Sequence, residues 1–139
     1  MLYAWANDPM TRHQSFSSEP IPWVDHLSWF HRVLADPQHT LWFLLEIVPV
    51  ASIRFDAAGA RARVSVQVAP DARGRGLGLR VVQEATALYV SATARSLDAH
   101  VKQGNTASAR IFERAGFRQA SDLADGSLHF ELAGPYNAP

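Results

Sequence analysis

The sequence predicts an α/β fold with a mixed, mostly antiparallel sheet flanked by helices, and three observations carry that prediction. Residues 62–68, Ala-Arg-Val-Ser-Val-Gln-Val, place valines at alternate positions, as a strand with one apolar face does. Leu77, Val81, Ala85, Leu88 and Ala92 fall at intervals of four, four, three and four, so they line one face of a helix continuing to about Thr93. Between strand and helix lies Arg73-Gly74-Arg75-Gly76-Leu77-Gly78, after Pro70 has stopped the strand.

The other elements follow in chain order. Residues 1–22 read as irregular, with Asn7-Asp8-Pro9 a turn signal and Met1–Ala6 at most a short helical turn. Pro22, at a first helical turn, introduces Trp23, Leu27, Phe30 and Leu34, an apolar stripe that ends before Pro37. For Trp23 and Phe30 the expectation is core packing. Thr40–Val48 is a β-favouring apolar run, and Pro49-Val50 turns into a second strand near Ala51–Phe55. Ala57-Ala58-Gly59 closes the hairpin onto the 62–68 strand. After the central helix, Leu97–Gln103 reads as a strand and Asn105–Gly116 as a short helix with Asn105 as N-cap and Gly116 just past its end. Phe117–Ala120 and Leu128–Leu132 read as two strands joined through an Asp125-Gly126 turn. Helix, antiparallel strands, helix, strand, helix, strands makes an α/β sandwich.

The totals favour one domain over residues 1–139, since single domains commonly run to about 100–200 residues. Hydrophobic residues make up 47% and charged ones 19%, a globular balance. A formal net charge of +0 gives no overall field toward nucleic acid or an anionic membrane, so any charge must act locally. With no cysteine there is no disulfide framework, no thiol nucleophile and no thiolate metal site. No leader pattern and no run of about eighteen apolar residues is visible, so a soluble cytoplasmic enzyme is the expectation.

The glycine turn is where ligand chemistry concentrates. Alternate glycines let backbone approach a ligand closely, and the first amides of the next helix are unpaired donors at the positive end of its dipole. Arg73 and Arg75 add charge at the rim of what is then an anion site. A P-loop is excluded because the glycines run into Leu79-Arg80 rather than Lys-Ser/Thr. A dinucleotide fingerprint is disfavoured by the even spacing of Gly74, Gly76 and Gly78 and by the mid-chain position of the strand.

Arg73, Gly76 and Gly78, read as Arg-x-x-Gly-x-Gly after a Val-x-Val-x-Val-x-Pro strand, resemble the pyrophosphate loop of the GNAT N-acetyltransferases. The segment from Asn105 through Ser108 and Phe112 to Gly116-Phe117 is similar to the family's second motif, a helix beside the pantetheine arm of coenzyme A. The resemblance implies a GNAT fold in which the strand before the loop splays from its neighbour, here Ala62–Val68 from Leu97–Gln103. It further implies acetyl-CoA as cosubstrate, held by Val66, Gln67, Val68, the loop residues Arg73, Gly74, Arg75, Gly76, Leu77 and Gly78, and Asn105, Ser108 and Phe112.

The usual catalytic pair of the family does not carry over. Phe112 stands where a tyrosine acid is common, and residues 62–68 contain no acid to act as base. The backbone amide near Val68 remains available to polarise a thioester. Glu46 and His100 are the catalytic candidates, with Tyr89, Tyr136 and His129 behind them. Glu46 reads more readily as a solvated strand residue, and His100 equally as a polar residue of the sheet face. Six histidines invite a metal, but only His26 and His31 are near each other, and on a helix they point about 140° apart, so no metal is expected.

The acceptor side falls to the N-terminal segment and first helix. The run from Asn7 to Phe30, with Ile53–Asp56, looks like GNAT enzymes of bacterial amino-sugar and nucleotide-sugar modification. That likeness implies a small-molecule amine acceptor contacted by Arg12, Ser15, Trp29 and Arg54, in a monomer or homodimer with no nucleic-acid or membrane partner. Arginine would meet a diphosphate, and Trp5, Phe16 or Trp29 would stack on a base or sugar. Acetylation of a protein N-terminus or lysine, or acyl-CoA binding without turnover, are the competing readings.

Overall fold

Six strands form one sheet in the order β1-β2-β3-β4-β6-β5: β1 His39–Leu45, β2 Pro49–Ala58, β3 Arg61–Val68, β4 Ser96–Val101, β5 Arg118–Gln119 and β6 Leu128–Leu132. The computed structural model describes residues 1–135, so the candidate Tyr136 lies outside the described residues. Among the described residues five α-helices accompany the strands, α1 Leu2–Ala6, α2 Pro9–Gln14, α3 Trp23–Ala35, α4 Leu77–Thr93 and α5 Thr106–Arg114, with a 3-10 turn at Pro70–Ala72. All pairings are antiparallel except β3 with β4. A parallel pair needs a crossover, and α4 is that crossover.

Strand alternation divides the sheet chemically. On one face Ile53, Phe55, Leu97, Ala99 and Phe130 are sealed from solvent and pack with Val82, Val81 and Phe112 from α4 and α5. Tyr89 of α4 stacks on Phe55 with ring centroids 4.0 Å apart. Gly78 brings α4 close to its neighbours, since a Cβ there would lie 2.8 Å from the Ile111 side chain of α5 and 3.4 Å from Val68. The register puts Ser52, Arg54, Ser65, Gln67, Asp98, His100 and His129 on the opposite face. That polar face is overlain by α1, α2 and α3.

Three local expectations are corrected. Residues 1–22 are not irregular throughout: Asp8 caps α2 by accepting from the Thr11 N–H at 3.0 Å, and Pro9 takes the first helical turn. Asp-Pro marks a helix start as well as a turn. In α3 the inward residues are His26 and Val33, while Trp23 is 57% exposed and Leu34 is also exposed. The apolar stripe fails to set the helix orientation because the sheet beneath α3 is polar and borders a cavity. In α4, Leu88 is exposed and Tyr89 takes the inward place, reached by a further step of four from Ala85.

Candidate active site

Where β3 leaves β4, the sheet opens. Their pairing covers only Arg61↔Ser96, Ala62↔Leu97 and Arg63↔Asp98, although β3 continues to Val68. The Ala69 N–H donates to Val50 O at 2.9 Å around the Ala51↔Val68 pair, which makes that pair a non-hydrogen-bonded one. Alternation then turns the N–H and C=O of Val68 and Val66 away from β2 and toward the gap. The ladder therefore leaves an unpaired, half-buried strand edge in the middle of the sheet rather than at its rim, a place for an extended, hydrogen-bonding ligand arm.

At the end of this edge stands the glycine turn. Gly74 and Gly76 both have φ of +75°, a conformation glycine adopts freely, and a Cβ on either would enter open space. The first intrahelical bond of α4 runs from the Arg80 N–H to Gly76 O, so the amides of Leu77, Gly78 and Leu79 lie ahead of the ladder. An accessible backbone at the N-terminus of a 17-residue helix suits a pyrophosphate, and the residues present fit that group. Both loop arginines, however, are already engaged. Arg73 donates to Asp8 at 2.7 Å and to Thr11 Oγ at 2.8 Å, and Arg75 pairs with Glu46 at 2.6 Å.

Alongside the gap, α5 is positioned as its sequence suggests, with Asn105 Oδ1 accepting from the Ser108 N–H at 3.2 Å. Phe112, expected among the coenzyme contacts, is a core residue: it is 3% exposed and packs on Phe117 and Phe130. Losing the tyrosine hydroxyl lets this ring join the apolar layer outright. Ile111 is the α5 residue that meets Gly78.

On the polar face of the sheet lies a cavity of about 530 Å³. Its floor is Leu41, Ser52, Arg54, Ser65 and Gln67; Val66 brings it to the strand edge at the gap. Its walls are Leu2 and Ala6 of α1, Thr11 and Arg12 of α2 with Ser15 just after it, Ile21, and Asp25, His26 and Trp29 of α3. The four predicted acceptor contacts, Arg12, Ser15, Trp29 and Arg54, are thus brought together from three elements and a loop. They differ in what they can offer. Arg12 donates to the carbonyls of Ala6, Ser17 and Glu19 and to Ser15 Oγ, so it mainly ties α1, α2 and the following loop together. Arg54 bonds through Nε to Asp56 at 3.0 Å and sits 5.2 Å over the Trp29 ring, which leaves its terminal nitrogens for a ligand.

The two catalytic candidates from the sequence lie elsewhere. Glu46 is not on β1 but in the turn after it, exposed and bound to Arg75, in a second groove that shares no residue with the cavity. Its carboxylate serves the glycine loop. His100 lies on β4 just beyond the last β3 pair, its ring 5.2 Å from that of His129. Burial, then Arg63 and His129, pull its pKa down, so the ring is neutral near pH 7. His129 bonds to Asp98 at 2.9 Å, and Tyr89 is in the core. Burial pushes Asp98 up, but hydrogen bonds from Arg61 and His129 outweigh it and hold the carboxyl below its ordinary range. Asp98, His129 and Glu131 are close enough to share an ion, yet the cation between Asp98 and Glu131 is the guanidinium of Arg61.

Sequence reasoning missed Asp25 and His26 as cavity residues. His26 stands in the run given to the acceptor side but draws no role there, because a histidine among aromatics on a helix gives no signal of its own.

These features agree with what the chain resembles. Residues 62–124 match the family model described as FR47-like protein, which is GNAT-related. A domain from Methanocaldococcus jannaschii superposes with a TM-score of 0.82 at 19% identity, over 94% of this chain and 88% of that one. Aminoglycoside acetyltransferase AAC(6')-Ib, crystallised with coenzyme A, gives 0.79 at 18% identity over 96% and 87%. Spermidine N-acetyltransferase from Vibrio cholerae, crystallised with CoA and spermine, gives 0.80 at 12% identity over 94% and 85%. No curated protein matches the chain in sequence. The chain has the fold of the GNAT acetyltransferases. No helix among the described residues is long and apolar enough to cross a membrane.

Proposed function

We propose that this protein is an acetyl-CoA-dependent N-acetyltransferase acting on a small amine, with an amino sugar or its nucleotide-linked form as the acceptor. The observation that carries the reading is the break in β3–β4 pairing after Arg63↔Asp98, directly ahead of the glycine turn at the start of α4. In this reading the pantetheine arm runs along the free edge of Val66 and Val68. The pyrophosphate meets the amides of residues 74–79, with Arg73 and Arg75 at the rim, while Asn105 and Ser108 flank the arm from α5. Bound there, acetyl-CoA supplies an activated acetyl group, and an amide of the strand edge near Val68 polarises its carbonyl.

The acceptor occupies the cavity. Trp29 offers a flat face for a sugar or base, and the free nitrogens of Arg54 a site for a phosphate oxygen. Asp25 offers a carboxylate to the ammonium or a sugar hydroxyl. Thiol release from acetyl-CoA, measured with D-glucosamine, a UDP-linked amino sugar, spermidine and an alanine-terminated peptide, tests the assignment. Fastest release with the sugar amines is the expected result. Preference for the peptide would replace it with protein acetylation, and coenzyme A binding without release from any amine would make the protein a binding module.

A further inference from the structure

We propose that His26 is the general base of this transfer, the group that takes the proton from the acceptor's ammonium. The assignment rests on the transferase reading above and adds to it the residue that neither the loop motif nor the second motif supplies.

Only two groups lining the cavity can accept a proton near neutral pH, Asp25 and His26. Asp25 is exposed, so water competes for its carboxylate, whereas His26 is 7% exposed. Four rings hold the imidazole: Tyr3 at 5.3 Å, Trp23 at 5.9 Å, Trp29 at 5.3 Å and Phe30 at 6.4 Å. This explains why Trp23, an exposed tryptophan, is placed where it is: it stacks on His26 and shields it.

Neither imidazole nitrogen bonds to any described residue, yet no buried side-chain nitrogen or oxygen is left without a partner. The ring nitrogens are therefore not sealed off, and His26 lines the cavity. A histidine used only for packing would be expected to anchor one nitrogen on a carbonyl or carboxylate. Tyr3 of α1 touches the ring, the Met1 amine just ahead of α1 acts on it, and Asp25 of α3, Arg12 of α2 and Arg54 of β2 line the same cavity. Burial, and next the terminal amine, push the imidazole below its ordinary pKa, which keeps it unprotonated and ready to accept at neutral pH.

The step balances. The ammonium gives one proton to the imidazole, and the freed lone pair of the amine forms a bond to the acetyl carbon. The carbon–sulfur bond breaks, sulfur keeps that electron pair, and the second amine proton goes to the thiolate. The imidazolium then releases its proton to water. N-acetylated amine, free thiol and one proton result.

Thiol release with D-glucosamine as the probe amine tests this. His26→Gln is expected to lower kcat by about a hundredfold, with the KM for acetyl-CoA and for glucosamine within about twofold of wild type. The acidic limb of the kcat/KM profile should vanish with it, and added imidazole should restore part of the rate to His26→Ala. Unchanged kcat in a folded His26→Gln protein, or a rise in KM alone, overturns the assignment while leaving the transferase reading intact. Failure of the wild-type enzyme to acetylate any amine overturns that reading itself, and the role of His26 falls with it. Should the variants not fold, an NMR titration of wild-type His26 decides. A ring that titrates below the ordinary histidine value and shifts with glucosamine supports the proposal, and an ordinary titration unmoved by glucosamine overturns it.

Discussion

The proposed coenzyme cleft and the proposed acceptor cavity meet at the same strand edge but are built in opposite ways. The cleft comes from two short runs of chain, residues 66–79 and the start of α5, and most of its chemistry is backbone: unpaired strand groups, amides at a helix start and two glycines at positive φ. The cavity draws on α1, α2, α3, β1, β2 and β3, and its chemistry is side-chain chemistry. Backbone recognition depends on conformation, which a local motif can specify. Side-chain recognition depends on which distant residues the fold brings together. Among the described residues, Arg73 of the glycine turn ties the two regions together, pairing with Asp8 at the cap of α2 and donating to Thr11 of the cavity wall.

If the cleft works through backbone, its most damaging change is conformational. Gly76→Val puts a β-branched residue at a φ of +75°, where an ordinary residue already costs about 1–2 kcal/mol, and places methyl groups in the open space of the turn. Calorimetry should show coenzyme A affinity lower by about a hundredfold or more in a protein that melts cooperatively. Unchanged affinity would mean that the phosphates are not held there.

Arg54→Ala probes the other side. Removing one charge-assisted contact to an anionic acceptor should weaken its binding by about 1.5–3 kcal/mol while coenzyme A affinity stays the same. The measurement is the KM for a UDP-linked amino sugar against that for D-glucosamine. An equal change for both would take the phosphate contact away from Arg54.

The smallest effect is expected at the junction. Asp8→Ala removes the cap of α2 and the partner of Arg73, so both Michaelis constants should rise modestly together, with a lower melting temperature at neutral pH. The hydrogen bond from Arg73, and then that from Thr11, hold the Asp8 carboxyl below its ordinary range. A depressed carboxyl contributes stability above its unfolded pKa and loses it as pH falls through the folded value. The wild-type advantage over Asp8→Ala should therefore shrink in strong acid, which thermal melts across that range would show. A rise in one Michaelis constant alone would sever the link between the regions.

Periodicity, caps and turn residues located each of the six strands and the three longer helices, because all three are local properties of the chain. They failed where a residue type has two local meanings or where no apolar layer lay opposite. Asp8-Pro9 was read as a turn and starts a helix. Trp23, expected in the core, faces solvent, as does Leu34 of the same stripe, because α3 lies over a cavity rather than a packed layer. Glu46 was placed on a strand and sits in a turn, bound to the glycine loop.

By itself, then, the sequence determined the strand, turn and helix at which coenzyme A is proposed to bind: they are contiguous, and their conformational preferences act over a few residues. Only the tertiary structure decided the opening of the cleft and the lining of the cavity. It ended the β3–β4 ladder at Arg63↔Asp98, sent Phe112 into the core, tied up most of Arg12 on backbone carbonyls and set His26 within four aromatic rings at the cavity wall. The reason is physical: burial and partnership, which decide whether a histidine is a base or an arginine a ligand, are properties of neighbours in space, and those neighbours come from chain segments that no local pattern connects.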